Sequence, residues 1–169
     1  MKKHLIGITF FCLLIGCSKD DLNWVAIPKR DYPCSCNNDI AANFYISEFK
    51  IGAFFSNSSD NKSRIYIDKL IELKKGDKHK IYIKTNEPDI SVYVYFDLNG
   101  NSILSDEKEL IFSGKTDSLS VLSFEYQIPI ETKSGDSFLR LITRKYQDVD
   151  DPCAKSSHGE NEDYLVKIN

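Results

Sequence analysis

Between Phe96 and Leu110 the chain sets oxygen-bearing side chains at alternate positions, Asp97, Asn99 and Asn101, and closes the stretch with Glu109. Calcium takes roughly six to eight hard oxygen ligands, and alternate residues of a tight loop can aim them inward. The backbone carbonyl of Ile103 and the carboxylate of Asp106 extend the same set. In the helix-flanked calcium loop a glycine stands sixth and a glutamate twelfth. Here those positions hold Ser102 and Lys108, which excludes that motif. An Asx-rich run of this kind also folds as a hairpin whose side chains cap their own backbone. Spacing alone supports both readings. With Asp97 and Glu109 as the formal charges, and Asp106 as a third, the expected Ca²⁺ site is structural and weak, in the ~0.1–1 mM range of extracellular modules.

Three further cysteines carry chemistry: Cys34, Cys36 and Cys153. In an oxidising compartment the expected bond ties Cys153 to Cys34 or to Cys36, and spacing does not choose between them. A zinc site from these thiols and His158 is the sharper alternative, although Cys-x-Cys is poor spacing for structural zinc. No serine lies in a Gly-x-Ser-x-Gly elbow, and no glycine loop could cradle phosphates. The carboxylates Glu160, Glu162 and Asp163 are the groups from which a small secreted hydrolase would have to be built. The expectation is a protein that is not an enzyme. Lys+Arg is 22 and Asp+Glu is 25, a net charge of −3, so a phosphate-binding basic surface and a nucleic-acid partner are excluded.

These groups need a scaffold, and the scaffold reads as β. Ser91–Phe96 puts Val92, Val94 and Phe96 on one face and Tyr93 and Tyr95 on the other. Phe44–Ile51, Ile81–Ile83, Glu109–Phe112, Val121–Tyr126, Phe138–Ile142 and Tyr164–Ile168 are similarly rich in aromatic and β-branched residues. Asn99-Gly100, Ser113-Gly114, Ser134-Gly135 and Asp151-Pro152 separate them as turn signals. The expected fold is an all-β antiparallel sandwich, jelly-roll or immunoglobulin-like, of about seven to nine strands. Ile67, Leu70 and Ile71 stand at helical spacing and predict one helical turn. Trp24–Ile27 can add an edge strand. If their face is exposed, Tyr82, Tyr93 and Tyr95 offer an aromatic platform to a protein or glycan.

The first residues set a location. Lys2 and Lys3 precede an apolar run of secretory-leader length, well short of the roughly 20 residues that span a bilayer. Leu14-Ile15-Gly16-Cys17 resembles the lipobox of bacterial lipoproteins, and Ser18-Lys19-Asp20-Asp21 resembles the acidic export tag of surface lipoproteins of the Bacteroidota. The resemblance implies a signal peptide over 1–16, a diacylglycerol on Cys17, a lipidated tether over 17–33 and a domain over 34–169. It also implies an outer-membrane protein facing the medium, held to the membrane through its N-terminal lipid. Loss of residues 1–16 removes Lys2 and Lys3 and no acid, taking the charge from −3 to −5.

The last residues carry a second resemblance. Gly159-Glu160-Asn161-Glu162-Asp163-Tyr164 is similar to the signature of the GEVED domain, named for a Gly-Glu-Val-Glu-Asp-Tyr run, with Asn161 in place of the valine. Asp97-Leu98-Asn99 through Glu109-Leu110-Ile111 is similar to that family's Ile-Asp-x-Asn-x-Asp-Gly … Glu segment. Gly135, Arg140 and Pro152-Cys153 fit as well. The resemblance implies a β-sandwich module of secreted and surface proteins without established catalytic activity. It favours Asp97, Asn99, Asn101 and Glu109 as an ion loop, with the carboxylate usual at Asn101 replaced by an amide. Period-2 placement sends Glu160, Glu162 and Tyr164 to the covered side of the last strand. An ion pair with Arg140 is their expected structural role.

Overall fold

Nine strands form among the described residues, which in this computed structural model are 33–34, 43–58, 64–145, 151–154 and 158–169. The chain divides into two units, Met1–Arg30 and Asp31–Asn169. The leader, Cys17, the tether up to Tyr32, the Trp24–Ile27 segment and Cys36 lie outside the described residues. In chain order the strands are β1 (Ile46–Ile51), β2 (Phe54–Asn57), β3 (Arg64–Leu73), β4 (Lys78–Thr85), β5 (Ser91–Phe96), β6 (Leu110–Lys115), β7 (Val121–Gln127), β8 (Gly135–Arg144) and β9 (Asn161–Ile168). They make two sheets, β2-β1-β4-β7 and β3-β9-β8-β5-β6. All neighbours are antiparallel except β3 and β9, which run parallel. The architecture is an all-β sandwich.

Alternation supplies the core. Phe49 and Ile51 of β1 and Ile81 and Ile83 of β4 face Val92, Val94 and Phe96 of β5, Leu139 and Leu141 of β8, and Val166 and Ile168 of β9. Each such side chain, fully buried, contributes about 1.5–3 kcal/mol. The opposite phase of the five-stranded sheet holds a smaller cluster of Tyr95, Leu104 and Ile142, with Tyr93 packed against it. Tyr95 is therefore covered and Tyr93 partly so, which leaves little of an open platform. Tyr82 lies on the other sheet, with the Lys50 ammonium 4.8 Å from its ring centre.

Two local expectations are corrected. Residues 64–73 form a strand and not a helical turn. A register shift between Tyr66 and Ile71 moves the inward phase, so Tyr66, Ile71 and Leu73 all reach the core. That shift mimics helical spacing. Ser113-Gly114 is no turn but the middle of β6, where Gly114 pairs with Val92. A Cβ on Gly114 would lie 2.8 Å from the Phe112 ring, so the glycine makes room for that ring. Phe112 stacks on Phe124 at 4.0 Å between centroids. This contact closes the seam where β6 and β7, each the edge of its own sheet, meet.

Candidate functional site

Strands β5 and β8 hold both ends of the oxygen-rich loop. The Phe96 N–H donates to Glu109 O at 2.8 Å and the Asp97 N–H to Phe138 O at 2.9 Å. Ser137 Oγ donates to Asp97 O at 2.6 Å. The Asp97 carboxylate, buried at 1% exposure, accepts the N–H groups of Gly100 at 2.7 Å, Asn101 at 3.1 Å and Ser102 at 3.0 Å. Asn99 Oδ1 accepts from the Asn101 N–H, and Asn101 Oδ1 from the Ile103 N–H. Both amide nitrogens donate to Asp106 Oδ2 at 2.8 Å. Gly100 and Ser102 have φ of 66° and 63°. Asp97 thus holds a left-handed non-glycine backbone that costs about 1–2 kcal/mol.

Glu109 is different. Its Oε1 accepts the Leu98 N–H at 3.1 Å, while its buried Oε2 has no hydrogen-bond partner among the described residues. Burial first, then the Asp97 charge, and to a smaller degree Asp106, push its carboxyl up from 4.5 to about 7 against the pull of the Leu98 and Asn99 N–H groups. A divalent cation would relieve that repulsion. The amides of Asn99 and Asn101 spend their oxygens on backbone N–H groups instead, and Ile103 is half exposed. Among the described residues no three His, Cys, Asp or Glu side chains converge as a ready ligand set. The loop as it stands is closed by its own Asx turns.

The C-terminal signature builds structure in two directions. Inward, Glu162 accepts from Tyr66 at 3.0 Å and from Tyr164 at 2.7 Å. Burial and the Glu162 charge hold the Tyr164 phenol far above its ordinary range. The Ile46 N–H donates to Glu160. Outward, Arg140 donates to both oxygens of Asp163, at 2.6 Å and 2.7 Å. The expected partner of Arg140 was Glu160 or Glu162; it is Asp163, because Arg140 sits directly across from Asp163 in the β8–β9 register. The remaining Arg140 donors reach Pro152 O and Cys34 O, both at 2.8 Å. Cys34 is bonded to Cys153, with 5.5 Å between Cα atoms. That bond resolves the open pairing and removes both sulfurs from any zinc site. Gly159 admits no side chain, since a Cβ there would lie 1.7 Å from Thr143 O.

Several residues had no signal in the sequence. Arg144, 1% exposed, donates to Thr143 O and Glu160 O at 2.7 Å and 3.2 Å. Thr132 and Tyr126 border a groove beside Glu109. No short motif marks them, because they meet Glu109 only through the closure of β6 on β7.

Fold and site together define a disulfide-tied β-sandwich module with neutralised charges at one cluster and crowded carboxylates at another. Residues 91–167 match the GEVED domain model. The match runs from β5 into β9 and takes in both the Asp97–Glu109 loop and the signature. The similarity expected over Cys34–Asn169 is thus carried by its C-terminal part, while β1 to β4 complete the sandwich. No curated protein matches the chain.

Proposed function

We propose that this chain is a non-catalytic surface module, anchored in the outer membrane through a lipid on Cys17, that binds a protein or a glycan as an accessory to nutrient capture or adhesion. The observation that carries this reading is how the C-terminal carboxylates are used. Glu160, Glu162 and Asp163 are 0%, 1% and 1% exposed, and they hold backbone N–H, two phenols and a guanidinium. A hydrolase needs such groups to reach a substrate and exchange protons with it. Calcium belongs to the proposal as a weak structural ion: Asp97 and Glu109 carry the charge that would attract it, and binding would require Asn99 and Asn101 to turn their oxygens from the N–H groups that they now accept. It would supply the positive charge that the crowded carboxylates lack.

A glycan array together with a pull-down against surface proteins tests the binding role. Turnover of a peptide or glycan library, lost in Glu162→Gln, overturns it in favour of the small secreted hydrolase. Anchoring has its own test. Cys17→Ser in a bacterial host should release the protein or leave it unprocessed, and unchanged membrane fractionation and mass refute the lipid.

A further inference from the structure

The seam between β6 and β7 opens at one end into a groove of about 590 Å³, inside the roughly 300–1,000 Å³ range of small-molecule sites. Two connections frame it. The Lys133 N–H donates to Leu98 O at 2.9 Å, which ties the β7–β8 connection to the β5–β6 loop. The Thr132 N–H closes a turn on Pro129 O at 3.2 Å.

Two buried oxygens in residues lining this groove have no partner among the described residues, Glu109 Oε2 and Thr132 Oγ1. Their residues are 1% and 3% exposed. Buried polar atoms in folded proteins almost always find a partner, so two orphans on one groove point to a group from outside. That group must donate to the carboxylate and can accept from the hydroxyl. Leu98, Tyr126 and Pro129 give the groove apolar surface. Its rim is close to balanced, Glu107 and Glu131 against Lys108 and Lys133, which favours a ligand without net charge. Hydroxyl donors on an uncharged body with apolar C–H faces describe a sugar.

We propose that this groove binds a neutral saccharide, with Glu109 and Thr132 hydrogen-bonding its hydroxyls and Tyr126 and Pro129 covering its apolar face. The proposal deepens the binding-module reading and rests on it. It shares Glu109 with the calcium proposal, and Thr132 and Tyr126, which belong to no cation set, tell the two apart.

The test titrates the full-length protein with neutral hexasaccharides (malto-, cello-, xylo- and manno-series), in EDTA and again with calcium. Binding is followed by calorimetry and by amide chemical shifts. At least one series should bind and shift the amides of Leu98, Thr132 and Lys133. Thr132→Val, which removes the hydroxyl at near-constant volume, should weaken it about tenfold at unchanged melting temperature, and Tyr126→Leu should weaken it too. The shift map needs no variant, so it decides the matter even if Thr132→Val fails to fold. No binding in any series refutes the proposal; shifts elsewhere, or affinity unchanged in both variants, refute the groove and leave the binding module standing. Capture of a peptide in the groove also refutes the sugar. Cleavage of a hexasaccharide refutes the non-catalytic reading itself.

Discussion

Arg140 and Glu109 belong to two regions that bury carboxylates almost completely and leave them in opposite electrostatic states. Around Arg140, Asp163 meets a guanidinium through two short bonds, and the remaining donors go to the carbonyls of Pro152 and Cys34. Around Glu109, the neighbours are two like charges, and one oxygen has no partner among the described residues. Desolvation penalises ions in both places, and only an opposite charge with good geometry offsets it. The Arg140 cluster is therefore a closed part of the fold. The Glu109 loop carries an electrostatic penalty that a proton, a cation or a ligand donor can remove.

If that contrast is right, the largest effects come from the closed cluster. Cys34→Ser opens a link with a sequence separation of 119, and the chain-entropy account assigns it about 4–5 kcal/mol. Denaturant unfolding of wild type with and without reductant should show a loss of that order. Asp163→Ala leaves the Arg140 charge buried and unmatched and should cost about 3–5 kcal/mol. Arg140→Met combined with Asp163→Leu should recover much of it, as apolar replacement of a whole buried pair often does. A single variant as stable as wild type would place Asp163 outside the structural class.

The open region should answer in the other direction. Glu109 titrates near 7 when folded against an ordinary 4.5, so between these values the native state holds more protons than the unfolded one. Stability from this group therefore falls as pH rises from about 4.5 to about 7 and stays low above. Glu109→Gln is neutral throughout and should flatten that slope. Above pH 7 it should be the more stable protein, by on the order of 1–3 kcal/mol. Melting curves across the window check the sign. Equal slopes for the two proteins would remove the distinction between the regions.

Calcium gives the smallest expected effect. At ten times its Kd, a bound ion adds about 1.4 kcal/mol by mass action. Thermal melting above pH 7, in EDTA and then in millimolar calcium, should show a modest upward shift that Asp97→Ala abolishes. A flat response leaves the Asx-turn reading of the loop alone.

What could be read from the sequence was local. Alternation in Ser91–Phe96, the β-rich run Val121–Tyr126, the Asn99-Gly100 turn and the oxygens of Asp97 and Glu109 depend on neighbours a few residues away, and the strands and the turn appear as expected. Side-chain phase alone also sends Glu162 to the core. The errors arose where phase or pairing depends on another strand. Residues 64–73 look helical until the β3–β9 register shift is known, and Gly114 looks like a turn until the Phe112 ring lies over it. Whether Tyr93 and Tyr95 are open also depends on other segments: Leu104 and Ile142 pack on that face, bury Tyr95 and partly cover Tyr93. Only the tertiary structure decided which carboxylate Arg140 neutralises, which cysteine Cys153 joins, and that Thr132 stands on one groove with Glu109. Each is a choice among partners far apart along the chain. It is settled by sheet register and by which edges meet, and no spacing within one segment encodes either.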